Sequence, residues 1–185
     1  MLGSVTVVVG QRLKLKVNRD RSTVVPASRV TMLGFGFYFV RGGEVGIRVG
    51  PKALARWKVR IKERTSRRWS IAVEERIARI NRFATGWMGC FQLADTPGVF
   101  QGLDKWLHRR MRQIRWKEWK RHATRRRDLR ALGIGERSAR ERAVGSKGYW
   151  RTAGPVVLQR ALPNSHGEDP GLRMLKPTWQ RVRSA

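Results

Sequence analysis

Hydrophobic positions change period along this chain. In residues 30–49 they alternate: Leu33, Phe35, Phe37 and Phe39 are separated by smaller residues, Gly42 and Gly43 interrupt, and Val45, Ile47 and Val49 alternate again. Period-two alternation on both sides of a glycine pair predicts a β-hairpin with one apolar face. From Pro51, a residue suited to a first helical turn, the spacing becomes helical. Leu54, Trp57 and Ile61 form one stripe flanked by Lys52, Arg56, Lys58, Arg60, Lys62 and Arg64. The next stripe, Val73, Ile77, Ile80, Ala84, Trp87 and Phe91, steps by threes and fours. Ser70 is its expected cap, and Glu74 and Glu75 oppose the dipole in its first turn. Pro97 opens a third helix with Val99, Phe100, Leu103, Trp106, Leu107, Met111 and Ile114 on one side. Three amphipathic helices joined by short polar links predict a three-helix bundle.

The flanks are less regular. Residues 2–13 fit two readings, since SVTVVV is β-branched like a strand while Leu2, Val5, Val9 and Leu13 make a helical stripe. Local propensity does not choose between them. Beyond Arg121, shorter helices are expected near Arg125–Leu132, Arg137–Val144 and Pro155–Ala161. Pro163–Gly171 reads as a loop, and the last dozen residues are expected to fray. The fold class is therefore α+β, mostly α, with an N-terminal β-hairpin, a three-helix bundle and short C-terminal helices.

Charge adds a partner class. The 185 residues carry 41 bases and 13 acids, a net +28. Residues 1–50 hold a net +6, residues 51–130 a net +16 and residues 131–185 a net +6, so the electrostatic centre is the middle. Self-repulsion of that size favours a polyanionic partner. On the third helix Lys105, Arg109, Arg112, Arg115, Trp116 and Trp119 gather opposite the apolar stripe. Such a face can neutralise phosphates while an indole stacks on an unpaired base. In the alternative, Trp116 and Trp119 bury against a following segment. The lone Cys90 excludes an internal disulfide and a cysteine-based zinc site, and fits a reducing cytoplasm. No apolar run approaches the roughly 20 residues of a membrane helix, and the first residues lack the pattern of a signal peptide. Polybasic lipid binding usually uses a terminal tail, whereas this charge is interior.

Arg109, Arg112, Arg115 and Lys120 are the leading candidate phosphate contacts, by their shared face. Lys105 and Arg121 extend that set, and Arg56 and Lys58 add cations from the first bundle helix. Arg125, Arg126 and Arg127 are equally charged but also fit a flexible, nonspecific run. In KGYWR, Lys147 and Arg151 can hold phosphate while Tyr149 or Trp150 stacks on a base; the same two rings could instead anchor the last helices. Trp57, Trp87 and Trp106 sit on apolar stripes and read as core. His108, His122 and His166 are scattered, which gives no catalytic or metal site, and Cys90 reads as a small buried side chain.

Five blocks then occur in order: LKLKVNRDRS (13–22), MLGFGFYF (32–39), EERIARINRFATGWMGCF (74–91), LADTPGVFQGLDKWLHRRMRQIRWKEWKR (93–121) and KGYWRTAGPVVLQRAL (147–162). In order and spacing they resemble the C-terminal part of group II intron reverse transcriptase/maturases. The resemblance implies a palm remnant with a primer-grip-like hairpin in residues 1–50, a thumb or maturase-specific (X) domain in 51–121, and a basic helical DNA-binding-like extension in 122–185. It further implies intron RNA as partner, with target DNA and a separately encoded palm fragment as further partners, and no membrane. Departures from the family pattern are Arg21 where Lys is usual, Phe83-Ala84 in place of a Tyr-Leu pair, Cys90 where an aromatic is common, and Trp69 in a usually polar loop.

Polymerases of this family hold two metal ions, Mg2+, on clustered palm aspartates. Here adjacent acids occur only as Glu74-Glu75 and Glu168-Asp169, so no cofactor is expected and polymerisation is not expected from the chain alone. No Cys or His spacing like that of an HNH-type endonuclease follows the basic region. Met1 aligns with mid-palm in relatives, the look of a severed tail. The expected function is a noncatalytic RNA-binding maturase fragment supporting splicing or mobility, in the cytoplasm. The alternatives are a reverse transcriptase part active only with a separate palm, a decayed remnant without function, and a DNA-binding protein unrelated to introns.

Overall fold

A computed structural model describes residues 2–16, 18, 24–66, 68–145, 149–153 and 171–184, with only the backbone at Leu2, Ser4, Val5, Tyr149 and Trp150. The expected helix at Pro155–Ala161, most of the Pro163–Gly171 loop, Arg21, Lys147, His166 and the Glu168-Asp169 pair lie outside the described residues. Within them the fold is α+β and mostly α, as expected.

The ambiguous first segment is a helix, α1 (Leu2–Gln11). A helix satisfies its own backbone polar groups, and Val7 and Val8 remain about half exposed on it. After a 3-10 turn at Ala27–Arg29 come strands β1 (Thr31–Met32), β2 (Phe35–Phe39) and β3 (Val45–Val49), an antiparallel sheet in that order. The pairings Phe35 with Val49, Phe37 with Ile47 and Phe39 with Val45 put the expected apolar residues on one face. Gly42 and Gly43, at φ 113° and 89°, make the turn. Leu33 departs from the expectation: it occupies the β1–β2 turn at φ 52° and is 87% exposed. Burial also grades along the hairpin. Val49 enters the core and Phe35 packs against it, while Phe39 and Val45 at the turn end stay exposed.

Pro51 does start a helix, α2 (Pro51–Arg64), followed by α3 (Val73–Phe91) and α4 (Pro97–Glu118). Their stripes meet as anticipated. Trp57 is fully buried, tilted against Trp87 at 6.1 Å and Trp106 at 5.8 Å between ring centroids. Ile61, Ile77, Ile80, Ala84, Phe100, Leu103 and Leu107 complete this core. Each large aliphatic buried here contributes roughly 1.5–3 kcal/mol relative to exposure. Ser70 is not the cap of α3. That helix starts at Val73 after Ala72 and has no side-chain cap bond. Cys90 is exposed rather than buried, because it lies off the stripe that Trp87, Met88 and Phe91 present to the core.

The sheet is stapled to the bundle at Asp95, in the α3–α4 connection. Its backbone N–H donates to the Ile47 carbonyl at 2.7 Å, and its carboxylate accepts from the Ile47 N–H at 3.4 Å. The Tyr38 hydroxyl donates to the Asp95 carbonyl at 3.3 Å.

Helices α5 (His122–Ala131) and α6 (Glu136–Val144) pair with each other, and the short α7 (Tyr149–Thr152) packs on α4. A second apolar cluster forms there from Trp116, Trp119, Leu129, Ala139 and Ala153. The described part of the last dozen residues is helical from Leu175 rather than frayed. It forms α8 (Leu175–Ser184), which packs on α3 and α4. Leu172, Met174 and Leu175 join the main core, and the Trp179 indole donates to the Ala94 carbonyl at 3.0 Å. Apolar burial at its start and a tertiary cap, rather than helix propensity, hold this segment.

Candidate nucleic-acid interface

Helix α4 carries apolar residues on two sides, and both are buried. The stripe from Phe100 to Leu107 faces the main core, and Trp116 and Trp119 on the opposite side face the second cluster, at 2% and 8% exposure. The two indoles contact each other edge-on at 5.7 Å. They are therefore not presented to solvent for stacking on a base. A 22-residue helix is long enough to serve two cores in succession, with its outward face changing along its length.

The cations of that side are consequently divided. Lys105, Lys120 and Arg121 are exposed, and Arg109 is half-buried. Arg115 is partly exposed and paired with Glu118 at 3.1 Å. Arg112 corrects the expectation of one exposed face: it is 8% exposed, and its Nε donates to the Ala153 carbonyl at 3.3 Å. Burial, and next the charge of Arg109, hold the Arg112 guanidinium below the usual arginine value. His108 is buried beside it, its pKa pushed down to about 4 by burial and then by Arg112. It is neutral near pH 7.

Arg125, Arg126 and Arg127 are not a flexible run, since all three lie in α5. Arg125 donates from Nε to the Trp119 carbonyl at 2.8 Å, and its guanidinium lies 4.9 Å from the centre of the Trp116 ring. Arg126 and Arg130 both hold Glu136, at 2.5 and 2.6 Å, which ties α5 to the first turn of α6. These contacts, Arg130 first, keep the Glu136 carboxyl below its ordinary range. Arg127 is the most open of the three, paired only locally with Asp128 at 2.9 Å. Arg56 and Lys58 project from α2 into solvent, and Arg151 is exposed on α7. Lys147 and the Tyr149 and Trp150 side chains lie outside the described residues.

Several other arginines have a structural task that sequence reasoning missed. Arg76, 3% exposed on α3, donates to the carbonyls of Arg64, Ser66 and Trp69 at 3.0–3.1 Å. Arg110 on α4 reaches the same place, donating to Thr65 Oγ1 at 2.9 Å and to the Thr65 carbonyl at 3.1 Å. Two guanidinium groups thus satisfy the open carbonyls at the C-terminus of α2, where a positive charge also opposes the dipole. At the end of α6, His122 Nδ1 lies 2.5 Å from the Ala143 carbonyl, and Arg125 donates to the same oxygen at 3.4 Å. Helix stripes gave one available signal: Arg76 directly precedes Ile77, at the edge of the buried face.

The cations that remain exposed include Lys105 on α4, Lys120 and Arg121 in the connection to α5, and Arg127 on α5, all on a scaffold of packed helices. Residues 54–133, which run from α2 to the turn after α5, match the family model of the group II intron maturase-specific domain. The match supports the maturase C-terminal region that the five ordered blocks resemble. No curated protein matches the chain. Among the described residues, no helix is long and apolar enough to cross a membrane.

Proposed function

We propose that this chain is a noncatalytic RNA-binding fragment of a group II intron maturase that docks on intron RNA in support of splicing or mobility. The observation that carries the reading is the maturase-specific match over residues 54–133, which spans the exposed cations of α4 and α5. Lys105, Lys120, Arg121 and Arg127 supply phosphate contacts by charge, while the packed helices fix their spacing, so that RNA shape decides the docking. Arg56, Lys58, Arg109, Arg115 and Arg151 extend the contact. In this reading residues 1–50 are a palm remnant, 51–121 the thumb and 122–185 a DNA-binding-like extension, and the protein works in the cytoplasm.

The test is competition at physiological salt between a folded group II intron RNA and excess unrelated structured RNA. Retained preference for the intron supports the reading; equal displacement by any RNA leaves a polycation. If about six to ten phosphates are neutralised, affinity falls by roughly three to five powers of ten between 50 and 200 mM salt. A second reading, completion of a reverse transcriptase with a separate palm, is favoured by one observation. Apolar side chains stay exposed at both ends of the small sheet, Met32 and Leu33 at one and Phe39 and Val45 at the other. Co-purification of a palm-bearing chain would support it.

A further inference from the structure

A groove of about 520 Å³ opens between the C-terminal half of α2 and the N-terminal half of α3. That volume falls in the roughly 300–1,000 Å³ range of ligand sites. Among the described residues its walls combine Arg60, Glu63 and Arg64 from α2 and Arg79 and Arg82 from α3 with two rings, Trp69 and Phe83. The Arg64 guanidinium lies 4.4 Å from the centre of the Phe83 ring, and that of Arg79 lies 5.6 Å from the centre of Trp69. Trp69 is 39% exposed. Flat π faces bordered by cations suit a nucleobase, whose own face can join or replace the guanidinium stack.

Of the groove arginines, Arg64 donates to the Arg60 carbonyl at 3.0 Å, while Arg60 and Arg79 are held by exposed carboxylates. Arg60 pairs with Glu63 at 3.2 Å and Arg79 with Glu75 at 2.7 Å, both pairs about half exposed. Exposed pairs of this kind contribute little to stability, so their arginines can turn to phosphate without disturbing the fold. Arg82 is exposed one turn beyond Arg79. Arg56 lies one turn before Arg60 on α2, so the cationic track continues away from the groove. A duplex keeps its bases stacked and would leave both rings unused, whereas a single strand can offer one splayed base.

We propose that this groove is a pocket for one unpaired nucleotide of an RNA strand, its base stacked on Trp69 and Phe83 and its flanking phosphates held by Arg60, Arg64, Arg79 and Arg82. The proposal rests on the RNA-binding reading and adds a stacking site on helices other than α4.

Fluorescence anisotropy of the full chain, with a short labelled single-stranded RNA and with the same strand annealed to its complement, tests it. Trp69→Ala should weaken single-strand binding by about tenfold and leave duplex binding nearly unchanged, while Trp69→Phe restores most of the loss. Arg82→Ala, an exposed change, should weaken single-strand binding and flatten its salt dependence. An equal loss for strand and duplex, or undiminished single-strand binding in both the Trp69→Ala and Arg82→Ala variants, would overturn the pocket. Those results are separable from failure of the maturase reading, which shows as wild-type protein that does not prefer folded intron RNA over unrelated RNA.

Discussion

The Asp104 carboxylate, on α4, accepts the backbone N–H groups of Leu175 at 2.8 Å and Lys176 at 2.9 Å, across 71 and 72 residues of sequence. It caps a helix to which it does not belong. Two orphan donors at the start of α8 are satisfied by a buried anion, which also opposes the helix dipole. Asn81 adds a second clasp, its side-chain amide donating to the Gly171 carbonyl at 2.7 Å and its carbonyl accepting from the Arg173 N–H at 2.8 Å. Asp104→Ala should therefore release α8 selectively, costing about 1–2 kcal/mol as the loss of a helix cap does. Hydrogen exchange should show lost protection in residues 175–184 with the amides of α2 retained. Uniform loss across the bundle would refute a local clasp.

Arg112 and the exposed cations around α4 should separate in mutagenesis. Arg112→Ala removes the donor to the Ala153 carbonyl beneath the second cluster, and a buried group left without its partner costs about 1–3 kcal/mol. The expected result is a lowered denaturant midpoint. Lys105→Ala, Lys120→Ala and Arg121→Ala should leave the midpoint in place. In an RNA titration each should weaken binding and reduce the salt slope by about one for every phosphate no longer neutralised.

That separation marks where sequence stopped being informative. Stripes such as Trp57 with Ile61, or Ile77 with Ile80, were legible because period and burial are set within one helix. The hairpin and its apolar face were legible because hydrophobic residues alternate on both sides of Gly42 and Gly43. Apart from Arg76, beside the buried stripe of α3, arginine has no such local signature. Arg76, Arg110, Arg112 and Arg125 carry the same charge as Arg127, yet carbonyls brought in by other segments turn them into fasteners. Asp104 gave no signal for the same reason, since its partners are 71 and 72 residues away. In the sequence Trp69 stands out only as an aromatic in a polar loop. Its place beside Arg79 and the groove exists only once α2 and α3 have packed.

The second cluster should be a separate unit of stability. Trp116 fills it at 2% exposure, with Arg125 over its ring and Leu129, Ala139 and Ala153 around it. Trp116→Ala should cost about 3–5 kcal/mol locally, as large-to-small changes of buried aromatics do. Because the Trp57 core lies on the other side of α4, α5 and α6 should lose hydrogen-exchange protection while α2 and α3 keep theirs. One cooperative transition with all helices affected equally would show the two clusters to be a single core.

His108 makes stability depend on pH in a window of its own. Its folded pKa is about 4, against an ordinary value of 6.5, because burial and then the Arg112 charge disfavour the imidazolium. Between those values the unfolded chain binds the proton more readily than the folded one, so stability falls as pH falls from about 6.5 toward 4. The carboxyls of Asp95, lowered chiefly by its bond from Arg183, and of Glu136 begin to lose their contributions near their ordinary values of 3.8 and 4.5, both below pH 5. Urea denaturation at pH 7 and pH 5 should show wild-type stability reduced by roughly 1–2 kcal/mol at the lower pH. His108→Gln, which cannot take up the proton, should show much less change between the two. An equal drop in both proteins would mean that His108 does not govern this window.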